Sequence, residues 1–414
     1  MRLLLLLLLF PSVTFAQKIT FPKGDLPVSG KENTDLAPLD ELMRKFVQDN
    51  QIPGASFAVS RKGKIVYSRG FGYADLESKS AVQPDSLFRI ASVSKPITAV
   101  AILHLIEGGK LKLDDPAFSK LKYKPFLEKG AKVDPRLKDV TVRQLLHHTG
   151  GWDRDKSFDP MFRSTKIAST LGVKAPAGPV DVIRYMMGQP LDFTPGERVN
   201  YSNFGYCVLG RLIEEISGKT YEDYVRTEVL SKLGITTMRV GKSLKAEKRK
   251  GEVTYYDLES HLTTSVFDGS KVPSEYGGWY LEAMDSHGGW VASASDLVQF
   301  AADLDDPKQS KLLSEESFAS MVARPEGNLG KNKEGKPKTT WYGCGWNLRD
   351  VGNGKMNLWH SGSLPGTNAL LVRRGDGFCW AVLFNRRNEL DKEDLIGKID
   401  PLIHGAVDQV KKWP

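Results

Sequence analysis

Apolar positions follow two rhythms along this chain, one of period two near its ends and one of period 3.6 through its middle. From about Asp35, the residues Leu39, Leu42, Met43 and Phe46 recur at i, i+3, i+4 and i+7, the stripe of a helix with one buried face. Residues 55–61 and 64–70 then read as strands, and Lys62-Gly63 between them suits a tight hairpin turn. Residues 97–106 are apolar all round except for Thr98 and His104, which predicts a helix buried on every side, with His104 as a core histidine.

Between about 111 and 340, helical stretches (142–148, 180–187, 206–216, 221–233 and 294–304) alternate with long polar loops. The chain returns to strands at 342–348, 358–361, 369–373 and 378–385, and a helix at about 392–411 closes it. Strands at both ends with helices between them imply an α+β fold: an α/β sandwich with one antiparallel sheet built from distant segments, flanked by helices, and a mainly helical region inserted in the chain. A cleft is expected between sheet and insertion.

The first sixteen residues run Met1-Arg2, eight uninterrupted apolar residues from Leu3 to Phe10, and a stretch ending in small residues at Thr14 and Ala16. That pattern is a secretory signal with cleavage before Gln17, so an exported protein, periplasmic or secreted, is expected. The run is too short to span a bilayer and no other stretch is apolar enough, so no stable transmembrane segment is expected after cleavage. Residues 17–36 carry Pro, Gly and charge without periodicity and read as a linker, leaving 37–412 as the folded domain.

At 414 residues, 40% hydrophobic and 26% charged, the chain can bury a large core. Its net charge of +8 is spread over runs such as 242–250 and 331–338, which read as solvated loops. Such a surface suits anionic envelope polymers, but no nucleic-acid-binding module is present and no nucleic-acid partner is expected. Cys207, Cys344 and Cys379 are odd in number and lack CxxC spacing, so buried thiols are expected, with a Cys344–Cys379 pair left open.

Ser92-Val93-Ser94-Lys95 matches S-x-x-K, which sets a hydroxyl and an amine on one face of a helical turn. Pro96 belongs in a first turn and so puts Ser92 at the helix start, where unpaired N–H groups and the helix dipole favour developing negative charge. Ser119-Lys120-Leu121-Lys122 also fits S-x-x-K but leads no apolar helix and reads as a solvated loop. Tyr201-Ser202-Asn203 is the one Y-x-N in the chain, in a polar loop before a helix. A tyrosine near ammonium groups loses its proton more easily and can act as a base, and Asn203 can donate to a substrate carbonyl and hold the lysine. Of three H-x-G matches, at 148, 287 and 360, only His360-Ser361-Gly362 sits on a strand-like run, where Gly362 allows close backbone approach.

In this order the three elements resemble the active-site set of serine β-lactamases, penicillin-binding proteins and their esterase relatives. Phe88-Arg89-Ile90-Ala91, the segment 141–151 and Gly288-Gly289-Trp290-Val291-Ala292-Ser293 extend the likeness over residues 37–410. The resemblance implies a β-lactamase/transpeptidase-like fold and an acyl-serine mechanism needing no metal or cofactor. Ser92 would be the nucleophile and Lys95 and Tyr201 its proton-handling partners. Asn203, His360, Ser361, Gly362 and Ser363 would hold substrate, the oxyanion lying between the N–H groups of Ser92 and Ser363.

His360 departs from the lysine that β-lactamases of the Y-x-N class carry, and a histidine is mostly neutral near pH 7. The resemblance is therefore closer to the esterase, D-aminopeptidase and D-alanine carboxypeptidase-like branch than to true β-lactamases. The expected partner is a small ester, amide or peptide, peptidoglycan-derived fragments included. A silent cell-wall-fragment-binding protein is the remaining alternative, although such proteins usually lack a nucleophile or base. His147-His148 reads as structural, without an acidic residue at ligand spacing. Loops 154–179, 242–285 and 325–340 are expected near the cleft, and Trp152, Tyr276 and Trp279 read equally as pocket walls or loop anchors.

Overall fold

The computed structural model describes residues 21–388 and 394–414; the expected signal segment 1–16 lies outside them. Eight strands make the main sheet: β1 (Val28–Ser29), β2 (Gly54–Arg61), β3 (Lys64–Asp75), β4 (Thr340–Tyr342), β5 (Asn347–Gly352), β6 (Lys355–Leu364), β7 (Thr367–Arg373) and β8 (Phe378–Phe384). Their order is β1-β3-β2-β8-β7-β6-β5-β4, antiparallel throughout, and the short strand Ser80–Ala81 joins β3 as a ninth. The β2–β8 seam, running from Ala55 opposite Phe384 to Arg61 opposite Phe378, ties the two ends of the chain together. The expected sheet from distant segments is thus formed.

Alternation along β8 explains why both faces of the sheet are covered. Trp380, Val382 and Phe384 enter one core with Phe57, Val59 and the helices α1 (Ala37–Asp49) and α5 (Leu395–Gln409). Cys379, Ala381 and Leu383 enter the other with Ala58, α2 (Ser94–Glu107) and α4 (Ala294–Ala302). Leu39, Met43 and Phe46 of the predicted stripe are buried, and each is worth about 2 kcal/mol as an upper bound on transfer from water. Residues 94–103 of α2 are buried all round; His104 beyond them is only half-buried and shares a hydrogen bond with Tyr224.

Several elements differ from expectation for tertiary reasons. The stretch read as linker carries β1, which pairs with Phe71 and Gly70, and a short helical turn, Thr34–Leu36, that buries Leu36. The strand expected over 342–348 is broken at Gly343-Cys344-Gly345. There Gly345 adopts φ +79°, and a Cβ on it would lie 2.7 Å from Ala99 Cβ and 2.9 Å from the Lys95 carbonyl. The turn is thereby pressed onto the start of α2. The 221–233 stretch changes helix type twice, and helices Ser164–Leu171 and Glu315–Val322 were not foreseen. All three cysteines are free and buried; Cys344 lies 3.6 Å from His147 Nε2 and Cys379 lies 3.5 Å from Asp305, so they do not pair with each other.

Candidate active site

The turn bearing Ser92 is held from below by a buried arginine. Phe88–Arg89 pairs with Trp290–Ala292, and the Arg89 side chain donates to the carbonyls of Glu275 (2.6 Å) and Lys242 (2.8 Å) while stacking on Tyr255. Ala91 follows at φ +45°, a left-handed conformation that costs a non-glycine residue about 1 kcal/mol and turns the chain sharply. Ala91–Val93 forms a tight helical turn into α2, leaving Ser92 partly open to the cleft. On its far side lies β6. A Cβ on Gly362 would sit 2.1 Å from the Ile90 carbonyl oxygen and 3.0 Å from the Ser92 nitrogen, so the expected close approach is of strand to nucleophile turn.

Lys95, one turn further along α2, is completely buried. Its Nζ lies 3.2 Å from Ser92 Oγ, 2.8 Å from Asn203 Oδ1 and 2.9 Å from the His287 carbonyl oxygen. Burial, with a smaller push from Arg154, holds its pKa well below the usual lysine range, against the pull of Asp159. In the neutral amine, two N–H bonds satisfy Asn203 and His287, and the one lone pair is left for Ser92.

Asn203 opens helix α3 (Asn203–Ser217), with Ser202 as N-cap accepting from the Gly205 N–H at 3.1 Å. That cap projects Tyr201 and Asn203 toward α2. Asn203 Nδ2 donates to Asp159 (2.7 Å), which turns its carbonyl oxygen to Lys95. Lys95 Nζ lies 4.6 Å from the Tyr201 ring centroid. The nearby Ser92 hydroxyl lowers the pKa of the Tyr201 phenol, but burial is the larger effect and pushes it above the ordinary range. The expectation that neighbouring cations would free this proton is therefore corrected: desolvation outweighs them, and the resting Tyr201 is a neutral phenol.

The remaining predicted residues divide. Ser363 lines the cleft beside Ser92, whereas Ser361, two residues away on the same strand, opens into a neighbouring hollow with Trp359 and Asp400. His360, the residue before Ser361, points inward: Nδ1 donates to the Ser361 carbonyl (2.7 Å) and Nε2 accepts from Tyr342 (3.0 Å). Burial and the nearby Lys95 lower its pKa to about 3, so the ring is neutral and does not line the cleft. His148, at φ +59°, accepts from the Ser202 N–H (3.2 Å) and packs 4.5 Å from both Tyr201 and Tyr342, which makes it a positioning residue for Tyr201. Trp152 and Tyr276 are anchors: one packs on Phe118 and Phe204, the other accepts from the Tyr255 N–H. Trp279 lines the cleft itself.

The cleft encloses about 590 Å³. Its outer wall comes from the loops carrying Arg154, Asp159 and Phe162, a two-stranded hairpin (Leu262–Thr264 with Lys271–Pro273) preceded by His261, and Arg387. Asp159 and Arg154 were not singled out in the sequence. Asp159 precedes Pro160, a turn signal, but nothing local links it to Asn203, 44 residues away. Loop 325–340 contributes nothing to the lining.

Comparison with known proteins adds a family to this geometry. The family model described as Beta-lactamase matches residues 39–400. Penicillin-binding protein 4* of Bacillus subtilis (strain 168) is 30% identical over 365 residues, 87% of this chain and 74% of that protein. Protein flp of Staphylococcus aureus (strain N315) is 25% identical, and the chain spans 64% of its length. Among solved structures, the octameric penicillin-binding protein homologue from Pyrococcus abyssi superposes with a TM-score of 0.65 at 26% identity, over 85% of this chain and 74% of that one. EstCE1, a hydrolase with promiscuous acyltransferase activity, gives 0.68 at 22% identity, over 90% and 98%.

Proposed function

On the premise that this chain belongs to the beta-lactamase family and is a serine hydrolase, we propose that it cleaves esters or amides through a covalent acyl-Ser92 intermediate. The observation that carries the reading is the environment of Lys95, a buried amine with two N–H acceptors and a hydroxyl at 3.2 Å on its third side. The Ser92 proton passes to Lys95 Nζ as Oγ attacks the carbonyl. The N–H groups of Ser92 and Ser363 receive the oxyanion. As the carbonyl–leaving-group bond breaks, the Tyr201 phenol protonates the departing oxygen or nitrogen and is recharged from Lys95. Water then attacks the acyl-serine through the same groups in reverse.

Esterase or amidase-like substrates are favoured over β-lactams because His360, buried and hydrogen-bonded away from the cleft, presents no cation beside Ser92. The relatives support acyl transfer of this kind; EstCE1 is described as a hydrolase with promiscuous acyltransferase activity. Export, proposed from the 1–16 pattern, would place the reaction outside the cytoplasm.

Intact-mass spectrometry after exposure to an activated aryl ester and, separately, to a fluorescent penicillin tests the reading. The expected result is a mass increase that Ser92→Ala abolishes, with aryl-ester turnover exceeding cephalosporin turnover. A persistent adduct on the Ser92→Ala protein sinks the nucleophile assignment, and faster cephalosporin hydrolysis reverses the substrate order.

A further inference from the structure

The cleft lacks a cation at His360, but two arginines line it, Arg387 and, beside Tyr201, Arg154. The turn that bears it is tightly anchored: the Asp153 N–H donates to Asp192 (2.9 Å), Asp153 accepts from the Asp155 and Lys156 N–H groups, and its other oxygen is paired with Arg198 (3.1 Å). Lys156 in turn donates to the Asp192 carbonyl. From this fixed base Arg154 reaches into the cleft and holds its guanidinium 5.1 Å from the Tyr201 ring centroid, beside the reacting groups. Unlike Arg198, which pairs with the adjacent Asp153, Arg154 has no ion pair and no hydrogen bond among the described residues. Asp155 beside it also lines the cleft, and Asp159, across the same site, is engaged by Asn203 and the Met161 N–H.

A guanidinium with all its donors unused, preset beside a nucleophile, matches a planar two-oxygen anion. Resting on the hydrolase reading above, we propose that Arg154 is the specificity-determining cation of this cleft: a carboxylate on the ester or amide substrate docks on it while Ser92 attacks the neighbouring carbonyl. The substrate class is thereby narrowed to acyl compounds that carry a second, anionic carboxyl group, on either the acyl or the leaving side.

Two matched pairs of probes test this with the full chain. Aryl hemisuccinate against aryl butanoate reports a carboxylate on the acyl side; 3-carboxyphenyl against phenyl butanoate reports one on the leaving side. In at least one pair kcat/KM for the anionic member should exceed that for the neutral one, and Arg154→Gln should cut that ratio by about tenfold, mainly through KM. Arg154→Lys should restore part of the preference and Arg154→Glu should invert it. Arg154 is exposed, so these variants are expected to fold, and Ser92 labelling by the neutral ester confirms it. Ratios unchanged by all three substitutions in both pairs overturn the inference while Ser92 labelling still stands. Absence of Ser92 labelling by any probe in the unsubstituted protein defeats instead the hydrolase reading on which it rests.

Discussion

On the cleft wall formed by α2 and α3, Lys95 is fully buried and its hydrogen-bonding capacity is used up by Ser92, Asn203 and the His287 carbonyl. On the loop-built wall, Arg154 is exposed and unpaired, and Thr263 sits on a two-stranded hairpin preceded by His261. One wall is a preorganised reaction centre and the other a surface left open for a ligand. Rigid helix starts hold proton-transfer groups at fixed distances, while loops are free to vary what is recognised without disturbing them.

The largest effect should come from breaking the first wall at its amine. Lys95→Met keeps the length and removes the basic nitrogen, and is expected to lower the single-turnover acylation rate of an aryl ester about 10³-fold. Tyr201→Phe, which removes a phenol that burial keeps protonated, should cost less, about 10²-fold, since only leaving-group protonation is lost. A larger loss in Tyr201→Phe than in Lys95→Met would show the phenol to be the base and reverse the roles assigned to the two groups.

Buried rings behind the cleft should also set the stability of the domain in acid. Burial lowers the pKa of His147 to about 4 and that of His360 to about 3, against about 6.5 when unfolded. Above pH 6.5 neither state is protonated at these rings and no cost arises. As pH falls below 6.5 the unfolded chain takes up protons that the folded chain refuses, so stability declines until pH passes about 4 for His147 and about 3 for His360. The full loss is on the order of 3 kcal/mol for His147 and about 5 kcal/mol for His360. Urea unfolding at pH 7.5 and 4.5 measures it, and His147→Gln should flatten the difference by about 2 kcal/mol. An unchanged pH dependence in that variant would mean that the ring is protonated in the folded state.

How much of this was legible in the sequence follows the same division. Ser92 and Lys95 are three residues apart, Tyr201 and Asn203 flank one helix cap, and both relations are written in local spacing. The sheet was legible for a similar reason, because alternation along β2 and β8 survives wherever both faces are buried. What local pattern could not carry was contact across the chain. The 342–348 strand breaks because Gly345 must fit against Lys95 and Ala99, and Asp159 matters only because folding sets it against Asn203. His360 reads as a substrate contact from its motif, and only the structure shows its ring turned inward to Tyr342.

The smallest expected effect joins the two walls. Asp159 and Arg154 act on Lys95 with opposite sign: the carboxylate raises its pKa, the guanidinium lowers it, and burial sets the baseline below both. If Lys95 is the base, kcat/KM for a neutral aryl ester rises with pH as its ammonium loses a proton, along a limb below the ordinary lysine range. Asp159→Asn removes the negative charge, so the ammonium is less stable and the limb should move to lower pH. Arg154→Gln removes the positive charge and should move it to higher pH. The plateau rate of Asp159→Asn should drop by no more than about tenfold, since an asparagine oxygen can still accept from Asn203. Opposite displacements of the two limbs would establish that the recognition wall also tunes the reaction centre. Limbs that stay together, or move the same way, would confine Arg154 to substrate binding and Asp159 to holding Asn203 in place.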